Sequence, residues 1–142
     1  MKKILLAALL CVAALTSQAQ TLSFKNNTNC TLYAVMLADF GCPAFYHSKV
    51  VAIPANTLTQ FNINTFTLWD GPSPTLSGEM WMAVKLFGDP TCATSSVMVG
   101  QASCPASWPT TGSMLMNTAC NSCSIIKANW VGPGANCTVD IN

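Results

Sequence analysis

Cys120-Asn121-Ser122-Cys123 has the spacing of a thiol–disulfide exchange motif. Such a pair is reactive when a strand precedes it and a helix start follows, lowering the pKa of the first thiol. Here Ser124-Ile125-Ile126 follows, which is β-like and without helix caps, so both cysteines read as structural. A zinc site would need a fourth ligand beyond Cys120, Cys123 and Cys137, and His47 is the single histidine. A general base needs an orienting carboxylate and a nearby nucleophile, yet Tyr46-His47-Ser48-Lys49 carries no recognisable catalytic signature. Asp39, Asp70, Glu79, Asp89 and Asp140 are scattered, so a paired-carboxylate hydrolase could arise only through the fold. No catalytic residue, metal or cofactor is expected.

Four tryptophans are the stronger lead. Exposed indole rings can stack on sugars while neutral Asn, Thr and Gln side chains supply directional hydrogen bonds. Trp81 lies in an apolar segment and is expected in the core, whereas Trp69 and Trp130 precede Gly-Pro turns and read as corner plugs. Trp108, between Ser107 and Pro109, is expected to be exposed and is the candidate ligand-binding residue.

The N-terminus indicates where such chemistry would happen. Lys2 and Lys3 precede an apolar run from Ile4 to Leu15, and Ser17-Gln18-Ala19 offers small residues for cleavage before Gln20. The run is well short of the ~20 residues that span a bilayer. Residues 1–19 therefore read as a cleaved signal peptide of bacterial type, and no transmembrane segment is expected in the mature chain. Cleavage would leave seven cysteines, Cys30, Cys42, Cys92, Cys104, Cys120, Cys123 and Cys137, as disulfide candidates with one left over. Geometry prunes the pairings. A strand from Thr31 to Ala38 would carry the chain about 26 Å at ~3.3 Å per residue. A disulfide needs Cα atoms within roughly 7 Å. Local Cys30–Cys42 and Cys92–Cys104 bridges are accordingly disfavoured.

Only 8% of the 142 residues are charged, and there is no arginine. Lys25, Lys49, Lys85 and Lys127 against five acids give the mature chain a side-chain charge of −1. Nothing here could neutralise several phosphates, which excludes nucleic acid as a partner. A near-neutral surface lowers the electrostatic barrier to association.

The elements that must position these residues are short strands. Runs of β-branched and aromatic residues alternate with Asn, Gly, Pro, Ser and Thr clusters, and no helical period persists. Strands are expected at Leu22–Lys25 and Thr31–Ala38 on either side of the turn Asn26–Asn29, and at Lys49–Ile53 and Leu58–Ile63 on either side of the turn Pro54–Thr57. Others are expected at Met80–Phe87 and Ala93–Val99 on either side of the hairpin-like turn Gly88–Thr91, at Ile125–Trp130 and from Cys137 to the end. Phe61 and Ile63 share one parity and Phe66 and Leu68 the other, which predicts a bulge or bend near Asn64-Thr65. About eight strands in residues 20–142 imply a single all-β domain, a disulfide-stabilised, two-sheet antiparallel sandwich.

An internal two-fold duplication is also expected, with half-repeats at 22–80 and 84–142. Cys30-x11-Cys42-Pro43-Ala44 recurs 62 residues later as Cys92-x11-Cys104-Pro105-Ala106, and Trp69-Asp70-Gly71-Pro72 recurs as Trp130-Val131-Gly132-Pro133. If the halves are related by a two-fold axis, cross-half bridges such as Cys30–Cys104 and Cys42–Cys92 follow.

Phe24-x5-Cys30-x3-Ala34-Val35 resembles the first hairpin of thaumatin-like secreted sandwiches over about a tenth of the chain. That family is longer, richer in cysteine and carries an acidic cleft, so no residue role is transferred.

These observations imply an exported protein, periplasmic, secreted or at the cell surface, with a structural or interaction role. Self-association or binding to another surface protein is the expected mode. A carbohydrate-binding module using Trp108 is the alternative, and a secreted enzyme comes third.

Overall fold

Alternation of apolar and polar residues dictates most of the strands. In Leu32–Asp39 every second side chain, Leu32, Ala34, Met36 and Ala38, is fully buried, while the intervening ones are half-buried. In Asn136–Ile141 the buried set is Cys137, Val139 and Ile141. The structure, a computed structural model, describes residues 20–39, 44–74, 78–91, 95–102, 108–118, 123–133 and 135–142. The expected leader, both Cys-Pro loops, Cys42, Cys92, Cys104 and Cys120 lie outside them.

Among the described residues ten strands occur: β1 Thr21–Asn26, β2 Leu32–Asp39, β3 Tyr46–His47, β4 Val51–Ile53, β5 Thr57–Asn62, β6 Met80–Phe87, β7 Ser96–Gly100, β8 Thr111–Leu115, β9 Ile125–Val131 and β10 Asn136–Ile141. One sheet has the order β5-β1-β10-β9-β8, and the other β3-β2-β6-β7 with β4 also pairing β2. All pairs are antiparallel except β1 with β10. Side chains from both sheets, among them Phe24, Val139 and Ile126 of the first and Met36, Trp81 and Val99 of the second, belong to one buried cluster.

Two expected strand pairs turn out to be crossovers. β1 and β2, the segment resembling a thaumatin-like hairpin, lie in different sheets, as do β4 and β5. Only β6 and β7 form the expected hairpin, registered from Phe87 opposite Ser96 to Ala83 opposite Gly100. β8 was not legible, because Gly112 and Ser113 in Thr111–Leu115 are residues strands disfavour. Its glycine has a packing reason. A β-carbon on Gly112 would overlap the Val97 Cγ2 methyl, so this position lets β8 of one sheet approach β7 of the other.

The parity flip after Ile63 is a turn rather than a bulge. Asn64 N–H donates to Asn62 Oδ1 at 2.8 Å, Thr65 N–H to Asn62 O at 3.1 Å, and a short 3₁₀ helix, Phe66–Leu68, follows. The two Trp-x-Gly-Pro corners share one backbone feature. Gly71 and Gly132 both have left-handed backbones, φ 99° and 95°, a conformation glycine adopts freely. Strand pairing does not follow the repeat: β1 lies between β5 and β10, whereas β6, its counterpart at the 62-residue offset, lies between β2 and β7.

Candidate functional site

One end of the first sheet, where β1 and β10 finish and β5 and β9 begin, gathers residues far apart in sequence. Asn26 closes β1 and is 1% exposed. Its Nδ2 donates to the carbonyls of Cys30 at 3.0 Å, Ile53 at 3.2 Å and Pro54 at 2.9 Å. Its Oδ1 accepts the Thr28 N–H at 3.1 Å and the Thr28 hydroxyl at 2.7 Å. One buried amide thus ties the β1–β2 crossover to the β4–β5 crossover, supplying donors that no strand ladder provides there. The Cys30–Cys123 disulfide, with Cα atoms 6.0 Å apart, ties the first crossover to the segment leading into β9.

On this brace sits a neutral polar surface. Asn27 N–H donates to Ile141 O at 2.9 Å, and Asn27 Nδ2 donates to Asn142 Oδ1 at 2.9 Å. Asn56 N–H donates to Thr28 O at 3.0 Å, and Asn56 is held in the left-handed region at φ 53°. Asparagine tolerates that backbone better than most residues. A concavity of about 530 Å³ is lined by Asn27, Thr28, Asn56, Ser124, Ile125 and Asn142 among others. It shares Asn27 and Asn56 with a second of about 330 Å³ that reaches Lys25, Thr57 and Leu58. Among the described residues Lys25 is the only charged side chain lining either. Leu58 and Ile125 stand at the rims, 63% and 51% exposed, and Ile125 is paired across strands with Leu115, 69% exposed.

The sequence-predicted site lies elsewhere. Trp108 is not exposed: it is 8% accessible, against Met82 and Ala83 on the second sheet, with Leu37 and Met98 beside them. The reason is the apolar face beneath it, which a large ring covers favourably. Gly100 makes that seat possible, since a β-carbon there would stand 2.6 Å from Met82 O and 2.9 Å from Trp108 Cβ. Gly100→Ala is therefore expected to cost about 2–3 kcal/mol in urea unfolding, as overpacking with no flexible neighbour to yield. Trp69, Trp81 and Trp130 are buried as expected, with Trp69 and Trp81 stacked at 5.5 Å.

The cysteines also depart from expectation. Cys30 pairs with Cys123, neither locally nor with Cys104, so Cys123 is not engaged in a C-x-x-C bridge. Cys137, expected among the disulfide partners, is a buried free thiol. Its inward position on β10 excludes it from bridging a second molecule while folded. Burial pushes its pKa up to about 12. A raised folded value means that stability is full below the ordinary thiol range near 9.0 and is lost as pH climbs from there towards 12. The wild type is expected to lose about 1.4 kcal/mol more per pH unit than Cys137→Ala over that window, measured by denaturant unfolding. Alkylation should reach Cys137 only after unfolding.

His47 is exposed on β3, at the opposite end from the amide surface, and its ring has no hydrogen bond to a described residue. Near it the Tyr46 hydroxyl is hydrogen-bonded to the buried Glu79 carboxylate, which raises the Tyr46 pKa; burial and Asp39 add to the effect. Asp39 Oδ2 accepts the Phe45 N–H at 2.7 Å, which makes it a backbone anchor. Among the described residues no three His, Cys, Asp or Glu side chains converge on a metal position, and no helix is long and apolar enough to cross a membrane.

Comparison with protein-family models, curated proteins and solved structures finds no match.

Proposed function

We propose that residues 20–142 form an exported two-sheet β-sandwich with a non-catalytic interaction role at the cell surface or outside the cell. The braced amide surface carries this reading: two crossovers and the entry to β9 are locked together by Asn26 and the Cys30–Cys123 bridge, presenting neutral polar groups on a rigid frame. A core cluster drawn from both sheets supports the sandwich, and the shared left-handed glycines of the two Trp-x-Gly-Pro corners are what supports a half-repeat within it. The Lys2-Lys3 leader pattern and the disulfide support an oxidising compartment.

The full chain, expressed in a bacterium, is expected to be recovered outside the cytoplasm with Gln20 at its N-terminus and to sediment with the envelope. Asn27→Ala combined with Asn142→Ala should release it. Recovery in the cytoplasm with the leader intact would overturn the reading, as would equal envelope partition of wild type and variant.

Self-association is the second reading, favoured by β5. This edge strand, Thr57–Asn62, contains no charge, proline or glycine, the devices that usually protect an edge, and its Leu58 is exposed. Sedimentation equilibrium should show a dimer that Thr59→Lys dissociates; a monomer at all concentrations removes this reading.

A further inference from the structure

We propose that the two adjoining concavities that share Asn27 and Asn56, the larger of them also lined by Asn142, form one groove that binds an uncharged glycan chain, an inference that rests on the interaction role above. Charge narrows the ligand class first. Among the described lining residues an anionic chain would find Lys25 as its one cationic side chain, and a cation would find no Asp or Glu side chain. An apolar ligand would have to desolvate amides and hydroxyls with nothing to replace their hydrogen bonds with water. A sugar chain matches both. Each asparagine amide offers donors and an acceptor side by side, the pattern that neighbouring hydroxyls present in return. The C–H faces of the rings can rest on Leu58 at one rim and Ile125 at the other.

The groove is also set before a ligand arrives. Asn27 and Asn142 orient each other through their 2.9 Å amide contact, Asn56 is held through its N–H on Thr28, and the disulfide and Asn26 fix the crossovers beneath. Preorganisation of this kind lowers the ordering cost of binding. Among the described residues no aromatic ring lines either concavity, so affinity is expected from several hydrogen bonds along a chain rather than from stacking on one residue.

The test is an amide-resolved NMR titration of the mature protein with cellohexaose and chitohexaose, beside pull-down on insoluble cellulose, chitin and peptidoglycan. Shifts are expected at Asn27, Thr28, Asn56, Ser124 and Asn142 with at least one of these probes. Asn56→Gly, which keeps the left-handed backbone and removes only the amide side chain, should weaken binding about ten-fold with the rest of the spectrum unchanged. Shifts confined to the Tyr46–His47 end would overturn the assignment. Absence of shifts and of pull-down, with envelope retention intact, would overturn glycan binding and leave the interaction reading standing. Loss of envelope retention as well would overturn both.

Discussion

Replacing Cys30 and Cys123 together by alanine is expected to destabilise the domain by about 4–5 kcal/mol, the largest effect of any change considered for this protein. The bridge joins residues 93 apart, so its removal returns most of the chain's loop-closure entropy to the unfolded state. The double variant is the right comparison, because a single substitution would leave a thiol free to exchange with the other cysteines. Urea unfolding at neutral pH reads the effect directly. A loss below about 1 kcal/mol would mean that the bridge does not constrain the unfolded chain. The bridge also brings the β1–β2 crossover against the entry to β9, so the double variant should lose the amide groove's ligand contacts before it loses its strands.

Asn26→Ala is expected to cost roughly 3–5 kcal/mol, because it withdraws the donors from three main-chain carbonyls in two crossovers and leaves the buried ones without water. Asn26→Asp distinguishes this cause from a simple packing defect. An aspartate keeps the acceptor for Thr28 but, when ionised, faces the carbonyl oxygens with a second negative oxygen. Its folded pKa would stand above the unfolded value of about 3.9, so its stability should be highest below that pH and fall as pH rises through the folded pKa. Unfolding of Asn26→Asp at acid and neutral pH checks the sign. Equal stability at both would show that the amide is a space-filler.

The strands of this protein were legible because burying one face leaves a period-two trace. Met80–Phe87 was read to the residue, and β1, β2, β9 and β10 to within one or two at each end. The corner roles of Trp69 and Trp130 were readable for a similar local reason, since a Gly-Pro step after a large ring permits little but a turn. β3 and β8 were not: two residues carry no period, and Thr111–Leu115 is a strand through its neighbours rather than through its own side chains. The exposure expected of Trp108 fails for a related reason. A loop-like Ser-Trp-Pro context marks a turn in the chain but says nothing of the apolar sheet face that waits to receive the ring.

Composition and alternation established an all-β chain, poor in charge and rich in cysteine, because those properties are sums or short-range periods. Which strands share a sheet, which cysteines meet and which amides line a groove were decided by the tertiary structure. Asn27 and Asn142 read in sequence as a turn residue and a chain end. They become neighbours only because β1 and β10 run parallel, which brings their ends to the same edge of one sheet. Parallel pairing between the first and last strands leaves no local signal, since its hydrogen bonds join residues more than a hundred positions apart.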